Sequence, residues 1–450
     1  MVDRGRGRAA AQAWVLLTWL ALALFVHVRY GDEPAAGRHD ARFWNGEVSR
    51  HFLNILGRYE AAPIARHWFA PSAPCVAPPA RPCVHDAAAD RPGSAVVTSA
   101  LLGGEAVYTS FPPGAMVIAS PVVLPLANLA GVAPLEVLRL FNLVLALLTV
   151  LLCLRALDRL LAPALPARSL LLVAACLPLL ASVEVLHSHH VSMWSHQLLQ
   201  PVLAAMLVLA LGVMHTRRAA ALGVLAAAAC WVEWAAFIAC IALQAVVIVR
   251  SPTGQRWRNA LAFGGLALCG GLSLLAYYAL LLAQPAGAGL AAGLGRYLAS
   301  LQQRLAQRSV LDVRHDASDW LQSLAQSWLP WLLAVLVLLV AELWRRRVRA
   351  TNAASDARAE REPEREWRWA AAFVLCVLPL YGNVLLFEHA IVYTFDRLKW
   401  GFLFMVLVAY LGERIVRVHG VRGAGAVLGL SLLASAGAVA HLMVLYVPYW

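Results

Sequence analysis

The chain has 450 residues, of which 61% are hydrophobic and only 14% charged, with a mean hydropathy of +0.67. Soluble domains carry about a quarter charged residues, so the composition argues against a water-borne globule and expects lipid as the solvent for much of the surface. The formal charge of +12 falls mostly on arginines at the ends of apolar runs, where the positive-inside rule explains it without nucleic acid as a partner.

The apolar runs are continuous and rich in Leu and Ala, with none of the alternation of barrel strands. The expected fold class is all-α, a polytopic transmembrane helical bundle of about 11–12 spans, with interfacial helices in a long first outer loop. Residues 1–30 open with a basic tip (Arg4, Arg6, Arg8) and an apolar run from Trp14 to Val28. No small-x-small cleavage site follows, so an uncleaved first helix with a cytoplasmic tip is expected rather than a signal peptide. Residues 31–113 are too long for a simple connection and are assigned to an extracytoplasmic loop. Within ARFWNGEVSRHFLNILGRYEAAPIARHWF, Phe43, Val48, Phe52, Ile55 and Leu56 recur at helical spacing, and Arg50, His51, Arg58 and Glu60 fill much of the rest. That pattern suits amphipathic helices on a membrane surface. Cys75 and Cys83 would pair if this loop faces an oxidising compartment. The other six cysteines lie in apolar runs, as small hydrophobes.

Further apolar runs lie near 114–130, 134–157, 168–186, 197–214, 219–250, 259–284, 328–344, 369–386, 398–412 and 423–447. They divide into a transmembrane module over 114–284, an outer loop over 285–327, and C-terminal helices over 328–450 with a basic cytoplasmic loop at 345–367. The run 219–250 is long enough for two helices in a tight hairpin. The basic stretches 155–169, 215–218, 250–258 and 344–368 are expected on the cytoplasmic side. The outer side then receives 187–197, the bend near Glu233, 285–327 and 387–399. Parity requires either that 114–130 is not a full crossing or that one basic loop breaks the rule.

Polar residues that lipid makes expensive gather on the outer face of this arrangement. Ionisable groups in spans usually line a cavity or pathway, and each is weighed against a plainer role. Glu47 is either functional or one solvated charge among several. The segment YTSFPPG, with Tyr108 and Phe111, has prolines that also suit a helix start. His189 and His190, with His187 and His196, form a cluster that lacks the acid or Cys of a strong metal site. Glu233, between two tryptophans, is a functional acid or the apex of a hairpin. Glu388, His389, Arg397 and Lys399 are site residues or interfacial anchors. Lys399 is the single lysine of the chain. No nucleotide-binding, HExxH or GxSxG element occurs.

A basic tip, one span, an outer loop beginning with an acid-bearing amphipathic helix, and then Tyr-x-x-Phe-Pro-Pro-Gly together resemble the GT-C glycosyltransferase superfamily. The protein-mannosyltransferase-like and aminoarabinose-transferase-like branch is the nearest in flavour, over roughly the first 250 residues. The segment 139–161 also resembles that branch's third hydrophobic segment. The resemblance implies an enzyme of the bacterial inner membrane, active on its extracytoplasmic face. It would move a sugar from a polyprenyl-phosphate donor to a glycan, lipid or protein acceptor. It makes Glu47 the catalytic candidate, in Asn45-Gly46-Glu47 where the family often has an Asp-Glu pair. An Asp common in the family's later outer loop is replaced here by the histidine-rich segment. Arg50, Arg58, Arg397 and Lys399 would meet the phosphate. The remaining substrate-binding candidates are His51, Tyr108, Phe111, His189, His190, Glu233, Glu388 and His389. No cofactor is assigned, and a divalent metal has no supporting ligand set. The alternatives are a transporter or flippase with Glu233 as coupling group, which would show repeats and broken helices in both halves, and a non-catalytic assembly partner.

Overall fold

In the computed structural model the described residues are 2–30, 44–71, 96–99, 101–102, 105–109, 111–190, 193–283, 289–308, 317–351, 363–377, 380 and 394–446. They are almost entirely helical, as the apolar periodicity requires. The helices are α1 (Val2–Tyr30), α2 (Trp44–Ala61), α3 (Ile64–His67), α4 (Gly114–Ala130), α5 (Pro134–Leu160), α6 (Arg168–Cys176), α7 (Val183–His190), α8 (Ser195–Ala210), α9 (Thr216–Val232), α10 (Ala235–Arg250), α11 (Arg256–Leu281), α12 (Gly289–Arg308), α13 (Ala317–Thr351), α14 (Pro363–Val377) and α15 (Trp400–Tyr446). One antiparallel hairpin, β1 (Val96–Ser99) with β2 (Glu105–Tyr108), pairs Val96 with Tyr108 and Ser99 with Glu105. This hairpin lies in the first loop, where the sequence pattern predicts amphipathic helices and irregular chain but no strands.

Among the described residues, five helices are long and apolar enough to cross a membrane, or six if the bent α6–α7 pair is one span. α4, α8 and α10 are apolar but shorter. Most predicted runs coincide with helices, and the differences are instructive. The run 168–186 is broken: α6 passes through a short turn at Leu177–Leu179 and bends by 63° into α7. The run 219–250 is two helices, α9 and α10, parted at Glu233, whose backbone is extended (φ −163°, ψ 147°). Cys230 and Cys240 lie with their sulfurs 4.0 Å apart, whereas ten residues of one helix would separate them by about 15 Å. The chain therefore folds back, as the hairpin expectation required.

α15 folds back as well. Gly420, at φ 57° and ψ −135°, interrupts it, in a region open to glycine and costly for other residues. A Cβ on Gly412 would sit 3.1 Å from a methyl of Val427, an approach that a straight helix, about 22 Å long over those fifteen residues, forbids. The predicted pair of runs at 398–412 and 423–447 is thus recovered as two antiparallel arms. The segment 285–327, expected as loop, holds α12 and the first turns of α13.

Contacts between helix termini define two ends of the bundle. At the basic end Asp158 pairs with Arg168 at 2.9 Å, Arg368 donates to the carbonyl of Arg159 at 3.3 Å, and Arg414 meets Glu342 at 3.3 Å. The start of α1 joins them, with Gly7 beside Ser169. At the opposite, aromatic end the Tyr278 hydroxyl donates to the Phe111 carbonyl at 2.7 Å, and the Met193 amide donates to Ser49 Oγ at 2.9 Å. α1 reaches this end too, where Val26 packs with Val183 and Leu186. Every basic stretch expected to be cytoplasmic has described residues at the first end, and the 193–197 segment and Glu233 sit at the second.

α4 does not connect the two ends. It begins at the aromatic end, where Gly114 abuts the backbone of Trp231 so closely that a Cβ would collide with it. It finishes with Asn128 donating to Glu60, at the end of α2, at 2.9 Å. The chain then starts α5, whose Asn142 already bonds the carbonyl of Ser188 at the aromatic end. The start of α5 lies about 12 Å beyond that point. Both termini of α4 therefore lie toward one end of the bundle, which is the first of the two alternatives that parity allowed.

Candidate functional site

The aromatic end carries a cluster assembled from four separate segments. β2 ends at Tyr108, and the Phe-Pro-Pro-Gly turn follows, with Pro113 as the residue preceding α4. The turn is clamped: Tyr278 holds the Phe111 carbonyl, and the hydroxyls of Thr109 and Ser300 lie 3.0 Å apart. α2 is fastened to the start of α8 through the Met193–Ser49 bond. The amide of Trp194 donates to Gln197 Oε1 at 3.0 Å, and Gln197 Nε2 reaches the Ser188 carbonyl at 3.1 Å. Asn142 bonds the same carbonyl and lies 3.0 Å from His189 Nδ1. Buried amides of this kind fix the backbone around them because leaving them unmet is costly.

Within this frame the His51 ring stacks on Trp194 at 5.9 Å between centroids and meets Tyr108 edge-on at 6.0 Å. Phe111 stands 5.3 Å from Trp194 and 5.7 Å from His196. Phe111 and Trp194 are buried, whereas His51 and Tyr108 are half-buried. The two buried rings form a floor and the other two a rim. Beneath them, His196 Nδ1 lies 3.7 Å from Glu233 Oε2, both residues being buried. The same oxygen accepts the Ala235 amide at 3.0 Å. Glu233 therefore sits at the hairpin apex, bonds the first turn of α10 where an acid suits the helix dipole, and pairs with a histidine.

α2 places position 47 one helical turn ahead of His51, a spacing at which residues share a face. The side chains of Glu47, Arg50 and His190 lie outside the described residues, as do Glu388, His389 and the Cys75–Cys83 segment. Of the expected site residues, the structure brings together His51, Tyr108, Phe111 and Glu233, with His189 one layer behind. Arg58 is buried further along α2.

Arg397 and Lys399 come from one turn, Thr394–Lys399, and serve different surroundings. Arg397 Nε meets Glu184 Oε1 at 2.8 Å, and both partners are almost wholly buried. Ser323 accepts from Arg397, and Ser327 donates to Glu184. This is an internal strut between α7, α13 and the turn. Lys399 is also buried and lines an apolar cavity with Leu203, Met206, Leu243 and Phe402. Glu184 was overlooked in the sequence although it carries the signal that singled out Glu233: an acid inside an apolar run. Trp194 and His196 were legible only as members of an aromatic and histidine-rich stretch. Ser49, Asn142 and Gln197 carry no distinguishing sequence signal.

Outside the predicted spans, α3 closes in an aromatic knot. His67 stacks on Tyr59 at 4.8 Å, and its Nδ1 accepts the Phe69 amide at 3.0 Å. Trp68 and Phe69 both hold positive φ, 49° and 53°. Burial, then the nearby Arg58 charge, lowers the His67 pKa from its ordinary value. Burial likewise raises that of Tyr59.

Among the described residues no group of three or more His, Cys, Asp and Glu is placed to hold a metal ion. Compared with models of known protein families the chain finds no match, and it finds none among curated proteins.

Proposed function

We propose that the protein is a polytopic integral membrane glycosyltransferase of the GT-C kind, taking a sugar from a polyprenyl-phosphate donor at the extracytoplasmic face of a bacterial inner membrane. The observation that carries this reading is the meeting of two remote segments. The helix bearing Glu47 and the Tyr-x-x-Phe-Pro-Pro-Gly turn share one aromatic cluster, through His51, Tyr108, Phe111 and Trp194. Half-buried rings over a buried aromatic floor offer faces on which sugar C–H groups stack.

In this mechanism the Glu47 carboxylate takes the proton from an acceptor hydroxyl as that oxygen attacks the anomeric carbon. The bond from that carbon to the phosphate oxygen breaks, and the polyprenyl phosphate leaves with the electron pair. Cations stabilise the departing phosphate. Arg397 is committed to Glu184, so Lys399, Arg58 and Arg50 remain as phosphate contacts.

The test is transfer from radiolabelled polyprenyl-phosphate sugar in membranes containing correctly inserted protein. Glu47→Gln is expected to lower the rate about 10²–10⁴-fold. Undiminished transfer would remove Glu47 from the chemistry, and a wild type inert with every donor would sink the enzyme. One observation favours a second reading: a buried Glu233–His196 pair is of the kind that couples proton movement to transport. Proton-driven uptake that Glu233→Gln abolishes, without any sugar transfer, would select that reading.

A further inference from the structure

Two cysteines face each other across the arms of the α9–α10 hairpin. Cys230 on α9 and Cys240 on α10 hold their sulfurs 4.0 Å apart. Both are thiols in this structure, Cys230 buried and Cys240 half-buried. A disulfide bond is about 2.05 Å long, so each sulfur has about 1 Å to travel. Side-chain rotation about χ1 supplies such a movement while the helices stay in place. The arms themselves are well seated on α11. A Cβ on Gly270 would collide with Ala227 of α9, and one on Gly271 would crowd the Phe237 ring of α10. The turn between them is fixed as well: the Glu233 carboxylate accepts the Ala235 amide at 3.0 Å, and the Glu233 carbonyl accepts the Ala236 amide at 3.2 Å.

The hairpin apex lies at the aromatic end, with Trp231 against Gly114 and Glu233 paired with His196. Cys230 precedes Glu233 by about 4.5 Å of helix, and Cys240 lies about 7.5 Å along α10 from its start. The pair is therefore within two helical turns of the end assigned to the extracytoplasmic side. Disulfides form and persist in oxidising compartments of that kind. Of the two thiols Cys240 is the more accessible, and access governs which thiol exchanges first.

We propose that Cys230 and Cys240 are a modification site, joined as a disulfide in the cell by exchange with a disulfide carrier of the outer compartment. The Cys240 thiolate attacks one sulfur of the carrier disulfide and releases the other as a thiolate. The Cys230 thiolate then attacks Cys240 Sγ in the mixed disulfide and displaces the carrier's second sulfur. Two cysteine thiols are oxidised, the carrier disulfide is reduced to a dithiol, and the two cysteine protons pass to it. The bridge closes the segment 230–240 into a ring and pins the apex that presents Glu233 to His196. The inference rests on the outward placement of the aromatic end and is independent of sugar transfer.

The test reads the wild-type chain as cells make it. Cells are quenched with acid, and free thiols are alkylated with N-ethylmaleimide under denaturing conditions before any reductant is added. No Lys or Arg lies between Arg218 and Arg250, so trypsin releases both cysteines on one peptide for mass spectrometry. The expected peptide carries no alkyl group, is two hydrogens lighter than the dithiol, and takes up two alkyl groups once reduced with dithiothreitol. Double alkylation before reduction overturns the proposal, and so does a link from either cysteine to another peptide. After double alkylation, purified protein that has been reduced and freed of dithiothreitol is incubated with oxidised glutathione to find which premise failed. Closure of the bridge then shows a competent pair on a reducing side, so that the outward placement falls. No closure rejects the pair itself and leaves the placement standing.

Discussion

Arg397 shows how far a residue's role depends on what meets it. In the sequence it stands two positions from Lys399 as a second phosphate candidate, and in the fold it is buried against Glu184 and Ser323. Removing one member of a buried pair strands the other, at a cost of about 3–5 kcal/mol, whereas replacing both with apolar residues is close to neutral. Arg397→Met is therefore expected to lower thermal stability sharply, and adding Glu184→Leu to restore most of it. A variant that keeps full stability but loses donor affinity would instead return Arg397 to the substrate. His67 gives a pH prediction with a definite sign. Its pKa is lowered by burial, so the native state keeps the ring neutral, with Nδ1 free to accept the Phe69 amide, where the unfolded chain already protonates. The stability of this corner is complete above the ordinary value of 6.5 and is lost as pH falls through the lower folded value. Hydrogen exchange at the Phe69 amide, corrected for intrinsic rate, is expected to quicken on acidification below pH 6.5. An unchanged protection factor would contradict it.

At the scale of elements, turns rather than helices were hard to read. Hydrophobic periodicity located the helices because a lipid or core-facing run must satisfy its own backbone, and that demand is visible in composition. Breaks inside such runs are local events with weak signals. The bend after α6 falls on Leu177–Leu179, around Pro178, and the reversal in α15 turns on a single glycine. Gly420→Ala is expected to destabilise the α15 arms by about 1–3 kcal/mol, measurable by thermal denaturation in detergent. A neutral result would mean that the turn tolerates an L side chain and that the backbone angle is not the constraint. Gly114 is a different case, chosen for space: any side chain there meets the backbone of Trp231, so Gly114→Val is expected to part α4 from α9 and disturb the Phe111 turn beside it.

For the whole molecule, the two-ended organisation makes a topological prediction. Leu101 is 47% exposed among residues assigned to the outer side, and Arg347 is exposed at the basic end of α13. In intact cells a membrane-impermeant maleimide is expected to label Leu101→Cys above the level of the unsubstituted chain. Arg347→Cys should be labelled only after permeabilisation, and labelling of both from outside would contradict the assignment. Composition alone determined that this chain is helical and apolar, roughly where its helices run, and which charged stretches share a side. Those properties are set by the solvent each segment needs, and solvent preference is written residue by residue. Only the tertiary structure decided that α4 keeps both termini at one end, that Arg397 and Lys399 part company, and that His51 meets Trp194. These outcomes depend on which segments, distant along the chain, are forced into contact, and packing of that kind leaves no periodic trace.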